Sequence, residues 1–284
     1  MLGPEAGSWR VSFWTVAERR SKVIRDSAGG PSNTASNPGF RTLIRRHFLS
    51  ADYGFTDSLS GRVEGSFVAI DNETPAGSRY VDGIGDTTLL LRYTLTAVPH
   101  LHEVDEATGP FGLHFGEGRL AIAAGLSLPT GDPERPSAPG LVPNSTLQTG
   151  TGTYAPLVTA VYTQTVGRSS LFAGVAAKFP GGENRFDYRV GEAFQVNLGA
   201  TLPITETIDG VPKISYLYNA PDELDGKDVF ASGGHIISLV PGARWRVTDR
   251  VDLEAFVEVP VFRDLRTESL EPQARFGAGL TFRF

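Results

Sequence analysis

Apolar and polar residues alternate along most of the chain, and the alternation is clearest in the last ten residues. Phe276, Ala278, Leu280, Phe282 and Phe284 fall on one face of this segment, whereas arginine, glycine and threonine fill most of the positions between them. A period of two residues is typical of a β-strand with one apolar and one polar face. Because such a final strand can pair with the first strand, the ending predicts a closed sheet without edges.

The same alternation recurs between turn-like segments and predicts about twelve strands in one domain that spans residues 1–284. The clearest predicted hairpin joins 234–247 to 250–262, with a turn at Thr248 and Asp249. Most of the other connections are either short turns or long segments rich in Gly, Pro, Ser and Asn. The long ones are predicted to be external loops near 22–39, 72–82, 130–151, 180–190, 220–233 and 263–270.

This arrangement favours an all-β fold, a single antiparallel up-and-down transmembrane β-barrel of about twelve strands. Bacterial outer-membrane barrels have an even number of strands, short turns at one end and longer loops at the other. No apolar run approaches the roughly 18 residues of a membrane-spanning helix. The connection at 99–117 departs from the pattern, because it is long where a short turn is expected. A soluble antiparallel β-sandwich with a solvated charged face is the alternative.

The charge and the amino-acid composition exclude several functions. A net charge of −6 and a pI of about 5.4 argue against a nucleic-acid-binding protein, which needs a basic face. The absence of cysteine excludes disulfide frameworks, thiolate metal sites and cysteine nucleophiles. Residues 1–4 have neither the basic nor the apolar region of a signal peptide, which counts against the outer membrane. We interpret Met1 as an initiator before a mature sequence or as a misplaced start, with a cytoplasmic protein as the alternative.

The polar face of the predicted strands carries charged side chains among small ones and is expected to line a polar lumen. Arg244 and Arg246 lie near Asp252 and Glu254 across the predicted hairpin, so cross-strand charge pairs are expected there. The charged residues predicted to line the lumen are Arg62, Glu64, Arg92, Lys178, Arg244, Arg246, Asp252, Glu254, Glu258, Arg275 and Arg283. The residues predicted to close the barrel and to form its aromatic belt are Trp245, Phe282 and Phe284.

Four segments carry recognisable turn-and-strand signatures. They are GIGDTTLLLRY at 83–93, GLSLPTGD at 125–132, GTGTY at 150–154 and PGARWRVTDR at 241–250. With these segments the chain, from about residue 40 to its end, resembles the family of outer-membrane transporters named for the meta-pathway of phenol degradation. The resemblance implies a barrel in the bacterial outer membrane and the passage of small organic compounds. It implies no particular substrate.

Two clusters could hold a metal ion. His100 and His102, with acidic neighbours and His114, could bind a divalent transition ion, although a polar surface connection is the simpler interpretation. An acidic segment could bind calcium, but its spacing fits no standard calcium loop. A solvated external loop that contacts lipopolysaccharide through divalent ions is the favoured interpretation. The acidic residues of this segment are Asp222, Glu223, Asp225 and Asp228.

No sequence pattern indicates an enzyme or a cofactor. The glycines at 83, 85, 150 and 152 lack the continuation of a dinucleotide fingerprint, and no Gly-x-Ser-x-Gly nucleophile motif occurs. We therefore expect a channel that passes small solutes, apolar or aromatic ones included, with the loop at 130–151 as a candidate gate. The expected partners are outer-membrane lipid, lipopolysaccharide, the barrel-assembly machinery through the C-terminal strand, and the solute. Alternatives are a structural or adhesion barrel and a soluble β-sandwich binding protein.

Overall fold

The chain folds into antiparallel β-sheet, and the computed structural model describes residues 4–22, 41–74, 77–98, 115–133, 148–229, 232–265 and 270–284. The strands, numbered along the chain, are β1 (Trp9–Lys22), β2 (Arg41–Gly54), β3 (Leu59–Thr74), β4 (Gly77–Ile84), β5 (Thr87–Val98), β6 (Phe115–Leu128), β7 (Ala155–Val166), β8 (Ser169–Lys178), β9 (Tyr188–Arg189), β10 (Ala193–Pro203), β11 (Ile208–Gly210), β12 (Lys213–Asn219), β13 (Glu223–Leu224), β14 (Lys227–Asp228), β15 (Gly234–Val240), β16 (Gly242–Thr248), β17 (Val251–Leu265) and β18 (Leu270–Arg283).

The large sheet closes on itself as a barrel. Three strands of the wall are each interrupted and consist of two consecutive segments: β4 and β5, β11 and β12, and β15 and β16. Together with nine uninterrupted strands they make a wall of twelve strands. β9, β13 and β14 form a separate three-stranded sheet. The predicted fold, an antiparallel barrel of about twelve strands, is confirmed. No helix in the described part of the chain is long and apolar enough to cross a membrane.

The first and last strands join to close the barrel. β1 pairs with β18 in a register that sets Val11 opposite Phe282 and Trp14 opposite Gly279. The N–H of Trp9 donates to the carbonyl of Phe284 at 3.1 Å, and the N–H of Phe284 donates back at 2.9 Å. The final residue is therefore fixed by backbone hydrogen bonds to the first strand.

The two faces of the wall differ in chemistry, because successive side chains of a strand point to opposite sides. Apolar side chains such as Leu49 (61% exposed) and Phe276 (55% exposed) point outward. Charged and small residues point inward, into the lumen. Directly opposite residues share a face, so the registers place charges such as Asp52 and Arg62 on the same side. The barrel therefore has an apolar outside and a polar inside.

Four short connections lie at one end of the barrel, here called the turn end. They span residues 55–58, 167–168, 204–207 and 249–250. The other end, here called the loop end, carries the long connections between β6 and β7, β8 and β10, and β12 and β15. This asymmetry agrees with the pattern expected from the sequence.

One predicted loop is wrong. The segment near 72–82 is not a loop, because β3 continues to Thr74 and pairs with β4 from Phe67 opposite Ile84 to Thr74 opposite Gly77. Sequence patterns missed this hairpin because it contains Asn, Pro and Gly and lacks regular apolar alternation. It rises at the loop end, where β4 pairs with β3 alone among the described strands.

Candidate functional site: the barrel lumen

The lumen contains a cavity of about 1440 Å³ that reaches from the turn end to the middle of the barrel. A second cavity of about 310 Å³ lies beside Arg62, Glu64 and Arg92, and a third of about 300 Å³ lies at the loop end. Ligand pockets usually measure about 300–1,000 Å³. The two smaller cavities lie at the lower end of this range, and the large cavity exceeds it, so all three have room for small organic molecules.

Basic side chains outnumber acidic ones among the strand residues that line these cavities. The basic residues are Arg10, Arg20, Arg46, Arg62, Arg92, Arg119, Lys178, Lys213, Arg244, Arg275 and Arg283. The acidic residues are Glu18, Glu64, Glu117, Asp252, Glu254 and Glu258. Outside the strands, Glu5, Asp57 and Asp249 add acidic groups beside Arg250 at the turn end, and Asp222 adds one at the loop end. The wall is thus positively charged in a chain whose net charge is −6.

The residues predicted from sequence to line the lumen fall into three groups. Those at the large cavity are Arg244, Asp252, Glu254 and Arg283. Those at the middle cavity are Arg62, Glu64 and Arg92, and those at the loop-end cavity are Lys178, Glu258 and Arg275. Arg246 stands opposite Asp252 and therefore shares its inward face, although it does not line a cavity.

Toward the turn end, each of three arginines pairs with a different carboxylate, and Arg62 also lies 3.9 Å from Glu64. Arg62 Nε donates to Asp52 Oδ1 at 2.8 Å, and Arg244 Nε donates to Glu254 Oε1 at 2.8 Å. Arg283 pairs with Asp252. The second carboxylate oxygens, Asp52 Oδ2 and Asp252 Oδ1, are buried without a hydrogen-bond partner among the described residues. We call these three the turn-end pairs.

Nearer the loop end, several arginines share one carboxylate. The side chain of Glu18 is buried, and Arg20 Nε donates to its Oε1 at 2.5 Å. Arg275 donates to Glu18 Oε2 at 2.9 Å and to Glu258 at 3.0 Å. Arg46 approaches Glu18 Oε2 at 3.6 Å. We call these five residues the Glu18 cluster.

Loops at the loop end reach into the lumen and cover the cavity beside the Glu18 cluster. Tyr188, fully buried, donates its hydroxyl to Asp222, which also accepts from the N–H of Gly191 at 2.9 Å. Ser232 Oγ accepts from the N–H of Asp222 at 2.8 Å. Asp222, Ser232 and Gly191 all line the cavity. The small sheet of β9, β13 and β14 thus belongs to a folded cap.

The sequence predicted two candidate metal sites, the histidine cluster and the acidic segment, and the structure describes only the second. His100, His102 and His114 lie outside the described residues. Asp222 is buried in the cap, where it accepts hydrogen bonds from Tyr188 and Gly191. It therefore does not belong to a solvated acidic surface together with Glu223, Asp225 and Asp228. Among the described residues, no group of three or more His, Asp or Glu is arranged to hold a metal ion.

Three of the four signature segments meet at Asp86, between β4 and β5. Asp86 accepts hydrogen bonds from the N–H of Gly131 at 3.1 Å and from the N–H and hydroxyl of Thr151 at 2.9 and 2.6 Å. Gly131 and Gly150 touch so closely that a Cβ on Gly150 would lie 2.6 Å from Gly131. The segments therefore act together to hold the two described ends of the connection between β6 and β7 against the wall.

Three inward aromatic rings each lie against a glycine of the neighbouring strand. Phe172 covers Gly199, Phe256 covers Gly277, and Trp14 covers Gly279; a Cβ on any of these glycines would come within 2.2–2.4 Å of the ring. Lys213 lies between Phe172 and Phe256, and all four line the large cavity. We call Phe172, Lys213, Phe256 and Trp14 the aromatic arc.

The residues predicted for closure and for the aromatic belt lie on the outer surface. Trp245 and Phe282 point outward, and Phe284 is 70% exposed at the turn end. Trp9 lies close to Phe284 through their backbone hydrogen bonds and is also exposed. Outer-membrane barrels carry girdles of aromatic residues on this surface, and an aromatic belt formed by these rings stays a prediction.

Sequence reasoning placed Glu258 and Arg275 in the lumen but missed the cluster that they form around Glu18. It also missed the aromatic arc and the role of Asp86. Each of these three features depends on which strands are neighbours and in which register they pair, so none of them is visible in one strand alone. The aromatic arc did leave a signal, because each ring belongs to a strand next to one with an inward glycine. That signal can be interpreted only after the pairing is known.

Comparisons with known proteins show the fold. No family model and no curated protein matches the sequence. An outer membrane channel from Pseudomonas putida F1 is similar in structure, with 13% identity, 98% of this chain and 96% of that chain covered, and a TM-score of 0.73. The translocator domain of the autotransporter NalP from Neisseria meningitidis has 8% identity, coverage of 99% and 90%, and a TM-score of 0.47. The NanC porin has 8% identity, coverage of 95% and 98%, and a TM-score of 0.48.

Proposed function

We propose that the protein is a bacterial outer-membrane channel that passes small organic solutes, aromatic and apolar ones included, by diffusion through its lumen. The observation that carries the proposal is the excess of basic over acidic side chains on the strands that line the lumen cavities. Because a low-dielectric wall focuses the field of its charges, such a lumen concentrates anions. The channel therefore favours anionic solutes over cationic ones.

The placement in a membrane is part of this proposal. Apolar side chains point outward, and the wall is closed, so a bilayer would meet no unpaired edge. The channel from Pseudomonas putida F1 has the same fold. Membership of the phenol-degradation transporter family, contacts with lipopolysaccharide and recognition of the last strand by the assembly machinery are proposals of the same kind.

The test is the conductance of the refolded protein in a planar lipid bilayer. We expect discrete current steps and, across a KCl gradient, a reversal potential of the sign that indicates chloride preference. Charge reversal in Arg244→Glu/Arg246→Glu should shift the selectivity toward potassium. The matched control is Arg168→Glu, in the exposed turn between β7 and β8.

Three outcomes would contradict the proposal. Folded protein that inserts but never conducts would exclude an open channel and leave a structural or adhesion barrel. Current steps with cation preference in the unmodified protein would show that the basic residues do not set the selectivity. Retention of folded protein in the soluble fraction without detergent would contradict the membrane placement.

A further inference from the structure

We propose that the aromatic arc is a binding site for flat organic anions, specifically carboxylates attached to an aromatic ring. In this site the ring of the solute stacks on the rings of Trp14 and Phe256, and its carboxylate accepts a hydrogen bond from Lys213. The inference rests on the proposed function, because it names the class of solute that the lumen would hold. It concerns equilibrium binding, however, which can be measured whether or not the protein conducts.

The first observation is that the arc is continuous along the wall of the large cavity. The ring of Phe172 lies across Gly199, whose added Cβ would also come within 2.8 Å of Lys213 Cβ. Lys213 Nζ lies 5.7 Å from the ring centre of Phe256. The ring centres of Phe256 and Trp14 are 6.2 Å apart with their planes at 41°. Separations of 4.5–7 Å are those of interacting aromatic pairs.

The second observation is that glycines hold the rings against the wall. Gly199, Gly277 and Gly279 leave the space that each ring occupies, so the rings border the cavity instead of filling it. A planar solute can then lie along an apolar surface inside a lumen whose remaining lining is largely polar. Aromatic solutes gain more from such a surface than from the charged wall elsewhere, because ring faces attract one another in offset or tilted arrangements.

The third observation concerns charge. Lys213 is the one charged member of the arc, and it forms no ion pair with any residue in the described ranges. Nearby carboxylates are engaged elsewhere: Glu254 pairs with Arg244, and Glu258 pairs with Arg275. The ammonium therefore contacts a ring and keeps the capacity to donate to an anion. An aromatic ring and a carboxylate on one molecule match the ring and the ammonium together.

These features predict discrimination between close analogues. Benzoate offers both a ring and a negative charge. Cyclohexanecarboxylate has the same charge and nearly the same size without the aromatic face, and benzyl alcohol has the ring without the charge. We expect benzoate to bind about tenfold more tightly than either analogue, which is the ratio for loss of one such interaction.

Fluorescence of Trp14 gives a direct measurement. The chain has three tryptophans, and Trp9 and Trp245 are exposed on the outer surface. The double variant Trp9→Phe/Trp245→Phe of the full chain, refolded in detergent, leaves Trp14 as the single emitter. The probe is 4-nitrobenzoate, whose nitroaromatic ring quenches indole emission on contact. We expect saturable quenching that benzoate reverses by competition.

Substitutions in this background separate the ring contact from the charge contact. Lys213→Met should weaken benzoate about tenfold, as expected for loss of a charge-assisted hydrogen bond. Lys227→Met, the matched control at an exposed lysine of the loop-end cap, should leave benzoate binding unchanged. Phe256→Leu should reduce the preference for benzoate over cyclohexanecarboxylate, whereas the outward Phe194→Leu should not. The heat-dependent shift in gel mobility verifies that every variant is folded.

Failure of this inference is distinguishable from failure of the proposed function. Anion-preferring current steps together with equal affinities for benzoate and cyclohexanecarboxylate would overturn the ring site and leave the channel intact. Unchanged benzoate affinity in Lys213→Met would overturn the anion site. Saturable, Lys213-dependent binding of benzoate in a protein that never conducts would support the site and contradict the channel.

Discussion

The Glu18 cluster and the turn-end pairs are built from the same residue types and differ in how completely their carboxylates are satisfied. Both oxygens of Glu18 are engaged, one by Arg20 and the other by Arg275 and Arg46. Asp52 and Asp252 each use one oxygen and bury the other without a partner among the described residues. The cluster lies under the cap, whereas the pairs border the large and middle cavities. The difference indicates that the cluster stabilises the barrel and that the pairs set the field of the lumen.

The largest expected effect is the loss of the shared carboxylate. Glu18→Gln leaves three arginines around a neutral amide, and removing one partner of a buried ion pair costs about 3–5 kcal/mol. The free energy of unfolding, measured by urea titration in detergent, should fall by that amount. Glu64→Gln is the control, because Glu64 lies 3.9 Å from Arg62 and is partly exposed. Equal losses in both variants would show that the loss at Glu18 does not come from its burial among several arginines.

An intermediate loss of stability is expected at Asp252, whose carboxylate uses only one of its two oxygens. Asp252→Asn keeps the shape of the side chain but removes the charge that pairs with Arg283, and hydrogen bonds to charged groups contribute about 1.5–3 kcal/mol. The same urea titration should show a loss in that range. Asp249→Asn, in the adjacent exposed turn, should be neutral. A loss at Asp252 as large as that at Glu18 would show that the pairs hold the barrel together as firmly as the cluster.

The smallest effect on stability is expected at Glu254. Its ion pair with Arg244 is partly exposed, so Glu254→Gln should change the free energy of unfolding by less than about 1 kcal/mol. The substitution frees Arg244 from its counter-charge and should strengthen chloride preference in the bilayer measurement. Unchanged selectivity with lowered stability would reverse the roles that we assign to the two groups.

Local pairing could be predicted from sequence, but distant pairing could not. The turn at residues 249–250 fixes the hairpin of β16 and β17, so Arg244 lies opposite Glu254 as the alternation suggested. Arg246 also lies opposite Asp252, yet the carboxylate of Asp252 pairs with Arg283 on β18 instead. A strand of the barrel has a neighbour on each side, and arginines on both neighbours can pair with the same inward carboxylate. The sequence of the β16–β17 hairpin does not show that β18 is the second neighbour of β17.

The Glu18 cluster shows the limit more plainly. Glu18 and Arg275 lie at opposite ends of the chain and meet because β1 pairs with β18. The alternation of the last ten residues predicted that the barrel closes, but it did not specify the register in which it closes. A shift by one residue would place Glu18 opposite a different partner and on the other face. Only the structure identifies the shared carboxylate.

The glycines behind the aromatic arc make the width of the lumen adjustable from within the wall. In Gly277→Ala, the added methyl group would need the space now held by Phe256, whose nearest ring atom would be 2.2 Å away. The ring of Phe256 must then swing toward the centre of the barrel. This movement narrows the passage although no residue that contacts the solute has been replaced. At each of these glycines, a substitution by alanine adds one methyl group and thereby reduces the width of the pore. Substitutions at these positions, in evolution or by engineering, would set the largest solute that the lumen admits.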